Sequence, residues 1–258
     1  MYKRIVVKIG TKVLSNPDGR LDREVLEHII EQAVLLRKKN IQVILVTSGA
    51  VGTGRGLLTL KKDIGSVVQK QVFAAVGQVR LMGMYADLFE KHGYFCAQVL
   101  ATKEDFRDRQ HYANMKNCFE NLLQDKIIPI VNENDVVAIS ELVFTDNDEL
   151  AELVATQLRV DAVVILTSVD GVLVGGRTIS EINLSNAVSF KKHITPERSA
   201  GGRGGMRTKF SVSLKLAKRG ITTYIVNGKK RNALTDVIAG KRIGTKFLPR
   251  KKAASYKR

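Results

Sequence analysis

The chain has 258 residues, 44% of them apolar, and a formal net charge of +17, which is enough apolar material for a real core in one large or two small α/β domains. No run reaches the roughly 18 to 20 continuous apolar residues that a membrane-spanning helix needs. Met1-Tyr2-Lys3-Arg4 leads directly into the strand-like Ile5-Val6-Val7 without an apolar leader segment, so a cytoplasmic location away from membranes is expected.

Short apolar, β-rich runs recur at 5–9, 43–46, 95–100, 127–131, 163–166 and 222–226, separated mostly by segments of helical periodicity. That alternation predicts an α/β chain with a central, mainly parallel sheet covered on both faces, a three-layer αβα sandwich. The first helix is expected after an Asp22 N-cap, with Val25, His28, Ile29, Val34 and Leu36 at mixed three- and four-residue spacing. Segments 72–88 and 150–158 read the same way. His28 is expected to be a packing or boundary residue, and His92, His111 and His193 show no pairing that favours a metal. Cys96 and Cys118 lack metal-ligand spacing and are expected as reduced thiols in or near the core. The least regular stretch is 171–205, where Gly175-Gly176 and Gly201-Gly202-Arg203-Gly204-Gly205 bracket a polar segment.

Phosphate-binding chemistry needs cations and N–H donors at the carboxyl edge of a sheet. Lys8-Ile9-Gly10-Thr11 ends the first strand and Thr47-Ser48-Gly49-Ala50 ends the second. Alone, each reads as readily as a solvated turn. The chain has neither the Gly-x-x-x-x-Gly-Lys-Ser/Thr phosphate loop nor a Gly-x-Gly-x-x-Gly dinucleotide turn, and it lacks the protein-kinase signatures. Three polar clusters stand where a core would not choose them: Asn132-Glu133-Asn134-Asp135, Asp146-Asn147-Asp148, and Gly204-Gly205-Met206-Arg207-Thr208-Lys209 opening a helix. For Asp146 and Asp148, helix capping remains an alternative to chemistry.

The order of these clusters, together with Ala74-Ala75-Val76-Gly77-Gln78 and a closing Gly244-Thr245 to Phe247, resembles glutamate 5-kinase, of the amino acid kinase superfamily. The resemblance runs over nearly the whole chain. It implies an amino acid kinase domain over 1–248, with the acceptor part at about 1–160 and the nucleotide part at 161–248, followed by a basic tail at 249–258. It further implies ATP-dependent phosphorylation of the γ-carboxylate of L-glutamate, with Mg²⁺ held mainly by the nucleotide phosphates and no metal ligands from the protein. Lys8 and Lys209 are implied as the catalytic cations, with Asp148 orienting them and the N–H groups of Gly10 and Gly49 assisting. Ser48, Gly49, Asn134, Asp135 and Asn147 are the implied substrate positions, Asp135 receiving the α-ammonium. Lys8, Gly10, Thr167, Ser168 and the Arg203, Gly204, Gly205, Met206, Arg207, Thr208, Lys209 loop are the implied nucleotide positions. Feedback inhibition by L-proline and a homo-oligomer, dimer or tetramer, are expected on the same ground.

The chain departs from the family pattern in two places. Ser168 stands where the family has an acid, and the following loop is shorter, which bears on nucleotide preference. Members with a carboxyl-terminal PUA domain extend further, whereas Phe247 here is followed by eleven residues, so that domain is expected to be missing. Residues 229–258 hold eleven Lys and Arg against one acid, Asp236, so +10 of the +17 lies there. A charge concentrated in a solvated tail argues against nucleic acid as a partner. Other acceptors within the superfamily (N-acetylglutamate, carbamate, aspartate or a nucleoside monophosphate) remain as alternatives, as does a degenerate fold that binds nucleic acid.

Overall fold

The computed structural model describes residues 2–16, 18–60, 65–138, 144, 146–194 and 205–250. In chain order the elements are β1 (Arg4–Ile9), α1 (Thr11–Leu14), α2 (Arg23–Lys38), β2 (Gln42–Val46), α3 (Ala50–Leu57), α4 (Ser66–Glu90), β3 (Cys96–Ala101), a 3-10 turn (Glu104–Phe106), α5 (Arg109–Gln124), β4 (Ile128–Glu133), α6 (Asn147–Gln157), β5 (Ala162–Thr167), the hairpin strands β6 (Leu173–Val174) and β7 (Arg177–Thr178), β8 (Glu181–Ile182), α7 (Ala187–Lys191), α8 (Met206–Lys218), β9 (Thr222–Asn227), α9 (Ala233–Ile238) and β10 (Thr245–Phe247). Eight strands form one sheet in the order β3-β4-β2-β1-β5-β9-β10-β8. Every described pair within this sheet is parallel except β9 with β10. All six expected strands are present. β8 and β10 extend the sheet with two and three residues, too few to show a pattern in the sequence.

Strand parity decides what reaches the site. Successive side chains of β1 alternate between the two faces of the sheet. Ile5, Val7 and Ile9 pack in one core with α2, α4 and α9, while Val6 packs in the other with α6 and α8. Lys8 shares the parity of Val6 and therefore projects toward α6 and α8. The strands before residue 160 occupy one half of the sheet and those after it the other, and β1 and β5 meet at the boundary. The carboxyl ends of strands at such a reversal of order form a crevice suited to ligands.

Two expectations about single residues are corrected. Cys118 is exposed on α5 and only Cys96 is half-buried, because α5 presents few residues to the core beyond Phe119 and Leu123. His28 lies on the exposed face of α2, one residue before the buried Ile29. Asp22 caps α2 as expected, accepting from Val25 N–H at 3.2 Å.

The contact between α3 and α4 explains two of the glycines. A Cβ on Gly77 would lie 1.9 Å from the Ala50 carbonyl oxygen, and one on Gly54 would lie 1.9 Å from that of Phe73. Both neighbours are backbone, so relief requires the helices to separate. Gly77→Ala is expected to cost about 3 kcal/mol and to displace the turn that starts α3. Urea denaturation checks this: a cost under about 0.5 kcal/mol, the level of an ordinary surface substitution, would mean that the helices can part freely.

Candidate active site

The cleft at the carboxyl ends of β1, β2, β4 and β5 has a volume of 1620 Å³ and is lined by Lys8, Gly10, Ser48, Gly49, Asn132, Asp135, Asp146, Asn147, Thr167, Ser168, Gly205, Met206 and Lys209, among others. At its floor, Asp148 is fully buried on the first turn of α6. Its Oδ1 lies 2.6 Å from Lys8 Nζ and its Oδ2 accepts from Lys209 Nζ at 2.9 Å. Lys8 and Lys209 are only 4% and 8% exposed. One residue from β1, one from α6 and one from α8 therefore converge, and the cores on that face hold all three elements in place. Burial alone would raise the pKa of Asp148, but the two ammonium groups outweigh it and hold the carboxyl at about 2. Each ammonium has three N–H donors, and the pair lines the cleft beyond the carboxylate. An anion with several oxygens fits there.

Asp146 is the N-cap of α6, accepting from the N–H groups of Asp148 and Glu149 at 2.8 and 3.2 Å. Capping is thus the role of Asp146, while Asp148 reaches the lysines. Asp146 Oδ2 is buried with no hydrogen-bond partner among the described residues. Burial first, and then the charge of Asp148, push its carboxyl up to about 6 against the opposing pull of Lys8 and Lys209. A carboxyl raised on folding stabilises fully below its ordinary value of 3.8, and that stabilisation is lost as pH rises through about 6. Asn caps helices as well as Asp does. Asp146→Asn is therefore expected to raise stability at pH 7 by about 1–3 kcal/mol, with the gap to wild type closing by pH 4. Urea titrations at both pH values check this, and a gap of equal size at pH 4 would refute it.

On the other side of the cleft, Asn147 Nδ2 donates to Thr47 O at 2.5 Å and to Ser48 Oγ and Asn132 Oδ1 at 3.0 Å each. It ties α6 to the ends of β2 and β4. Asn132 Nδ2 in turn donates to Gln78 Oε1 on α4 at 2.9 Å. Gly49 has φ +106°, in the left-handed region that glycine alone adopts at little cost. Asp135 Oδ1 lies 2.5 Å from Lys70 Nζ. Beyond β5, Thr167 is buried and Ser168 exposed at the cleft wall. The shortened loop after it folds as the β6–β7 hairpin, turning on Gly175 and Gly176 with φ +56° and +77°.

Several implied contacts differ in the structure. The Gly10 N–H donates to Leu166 O at 3.1 Å, because the chain continues the β1–β5 ladder one residue beyond the strand, so it cannot serve an anion while that bond stands. Asn134 lines a smaller cavity of 250 Å³ beside the cleft. β4 ends at Glu133, and the chain turns at Asn134, whose carbonyl accepts from Val137 and Ala138 N–H. Asn132 takes its place at the main cleft. Arg207 and Thr208 do not line the cleft, whereas Met206 and Lys209, three apart on α8, do. A helix turns 100° per residue, so only one side of its first turn faces the ligand side. Arg203 and Gly204, and the basic tail from 251 onward, lie outside the described residues. The sequence reading quoted Asn132 and Gln78 within its polar cluster and family stretch but gave neither a place in the site, and it missed Lys70, which leaves no local signal.

Known proteins similar to this chain bear on its family and fold. The amino acid kinase family model matches residues 3–227, so the chain belongs to the amino acid kinase family. In solved structures the fold is similar to carbamate kinase from Giardia lamblia bound to AMP-PNP, with a TM-score of 0.72 and 17% identity over 96% of this chain and 99% of that one. Among curated proteins the chain is 49% identical to glutamate 5-kinase of Chlorobaculum tepidum over all of its own length and 72% of that relative's. It is 42% identical to that of Bacteroides thetaiotaomicron over 98% of this chain and 72% of the relative, and 37% identical to that of Clostridium acetobutylicum over 96% of each. Within the family, the chain groups with the glutamate 5-kinases.

Proposed function

We propose that this chain transfers the γ-phosphoryl group of ATP to the γ-carboxylate of L-glutamate, giving L-glutamyl 5-phosphate and ADP, the first step of proline biosynthesis, in the cytoplasm. The observation that carries the reading is the Lys8–Asp148–Lys209 cluster at the floor of the cleft, in a chain 49% identical to a glutamate 5-kinase. The acceptor oxygen is already an anion, so the reaction needs no general base. Its difficulty is electrostatic: a carboxylate must approach a polyanionic nucleotide.

Lys8, from the acceptor half of the sheet, and Lys209, from the nucleotide half, would hold the transferred phosphoryl between them. As charge spreads over the phosphoryl oxygens, fixed ammonium groups stabilise it without reorganising. Asp148 acts through the lysines as a positioning residue. Ser48, Gly49, Asn147 and Asp135 would hold glutamate, with Asp135 on the α-ammonium, and Thr167, Ser168, Met206 and the start of α8 would face the nucleotide. A division near residue 160 into acceptor and nucleotide parts follows the split of the sheet. Mg²⁺ would enter with the nucleotide, held on its phosphates, and supply charge neutralisation there; the described residues contain no cluster of three His, Cys, Asp or Glu able to hold a metal. L-Proline as an inhibitor and a homo-oligomeric state are further parts of this reading, both resting on family resemblance. No helix among the described residues is long and apolar enough to cross a membrane.

Incubation with MgATP, L-glutamate and hydroxylamine tests the reading. The expected products are ADP and γ-glutamyl hydroxamate. Absence of hydroxamate with glutamate, together with ADP release on another carboxylate or carbamate, would overturn it.

A further inference from the structure

The acceptor end of the cleft contains an ion pair that the phosphoryl chemistry does not require. Lys70, on the second turn of α4, places Nζ 2.5 Å from Asp135 Oδ1 in the loop after β4. The next residue, Gln71, donates from Nε2 to the Val136 carbonyl at 2.6 Å. Two consecutive residues of α4 thus grip two consecutive residues of the loop. Both members of the pair line the same cleft as Ser48, Gly49, Asn147 and the catalytic lysines. Their side chains are 30% and 13% exposed, and pairs this open to water contribute little to stability.

We propose that Lys70 and Asp135 together form a receptor for a zwitterion: Asp135 takes the α-ammonium of the acceptor and Lys70 its α-carboxylate, so that Lys70 selects acceptors with a free α-carboxyl group. This rests on the reading of the acceptor as an amino acid. The two groups of an α-amino acid sit on one carbon, so any carboxylate that binds the ammonium is also close to the α-carboxylate. Asp135 alone would attract the first and repel the second. A cation already in contact with Asp135 removes that conflict.

On binding, one ion pair becomes two, and no charge is left unpaired at any point. The glutamine contact and the close helix packing at Gly77 and Gly54 fix the stem of α4 before the ligand arrives, which lowers the ordering cost of binding. The arrangement also sets the direction of the substrate. With its α end held at Lys70 and Asp135, an acceptor keeps its distal carboxylate free for the lysines that line the same cleft.

The test compares kcat/KM for L-glutamate with that for its α-amide, which keeps the α-ammonium and the γ-carboxylate but loses the α-carboxylate charge. Wild type is expected to prefer glutamate by roughly tenfold to a hundredfold, the range of a hydrogen bond to a charged group. Lys70→Met should lose that factor on glutamate through KM, with kcat little changed, and should bring the two acceptors close to parity. Lys70→Gln should show the same ratio, and Lys70→Arg should restore most of the preference. Unchanged melting temperatures show that the variants fold. Equal penalties on both acceptors would reduce Lys70 to a support for Asp135, and an α-amide still refused by both neutral variants would likewise overturn the proposal. A wild-type protein inactive on glutamate would instead overturn the acceptor reading itself.

Discussion

Replacing Lys209 with alanine is expected to lower kcat roughly a hundred- to a thousandfold, the usual loss when one preorganised donor to a developing anion is removed, while the fold survives. Lys209 is one of two ammonium groups on Asp148, and its side chain opens to the cleft at 10% exposure. Its removal leaves Asp148 still paired with Lys8 at 2.6 Å, so no buried charge is orphaned and α8 keeps its core contacts through Phe210, Val212 and Leu216. The loss therefore falls on the transition state. Lys209→Met, which keeps the volume of the stem, should be nearly as impaired as the alanine variant. Lys209→Arg should recover little, because a planar guanidinium cannot occupy the position of a compact ammonium held by one carboxylate oxygen. Steady-state kinetics with both substrates varied separate the cases. If Lys209→Ala keeps near-normal kcat, the lysine pair does not hold the transferred group.

How much of this was legible in the sequence differs between sheet and site. The six strands read from the sequence are short apolar runs between polar or glycine-containing turns, and all but β3 are rich in Val and Ile, the mark that buried parallel strands leave. The order of the polar clusters pointed to Lys8, Asp148 and Lys209 through family resemblance. Nothing local could show that Lys8 projects to the α6 face, because parity fixes a side relative to Val6, but only the crossovers decide which helix covers that side. The same limit applies to Gly10. A glycine after a strand-end lysine looks like a free N–H donor, yet the register of β1 on β5 hands it to Leu166. Asn134 and Asn132 are two apart in a cluster, and the end of β4 between them sends them to different cavities. Lys70 had no signal at all: a lysine on the second turn of a helix is ordinary, and its meaning comes from a loop 65 residues away in the chain.

Asp148→Asn should be the most destabilising single change in the cleft, costing about 3–5 kcal/mol at pH 7. The amide keeps the shape but leaves two buried ammonium groups facing each other. Their remaining nearby counter-charge is Asp146, a carboxyl that folding has pushed up to about 6 in part because Asp148 is charged. With Asp148 neutral that repulsion disappears, so Asp146 should ionise more readily and recover part of the loss. Asp148→Asn combined with Asp146→Asn is therefore expected to cost more than the sum of its parts. The pH dependence has the opposite sign to that of Asp146 alone. A carboxyl held at about 2 against an ordinary 3.8 contributes stability that is present above 3.8 and lost as pH falls through about 2. The gap between wild type and Asp148→Asn should accordingly persist from pH 7 to pH 4 and narrow only below that. An anion that fills the cleft also supplies the missing charge, so the variant should bind MgATP more tightly than wild type, and the same MgATP concentration should raise its melting temperature more. Differential scanning calorimetry with and without nucleotide measures this. A variant as stable as wild type, or one that nucleotide stabilises less, would show that the lysines do not depend on Asp148 for their charge balance.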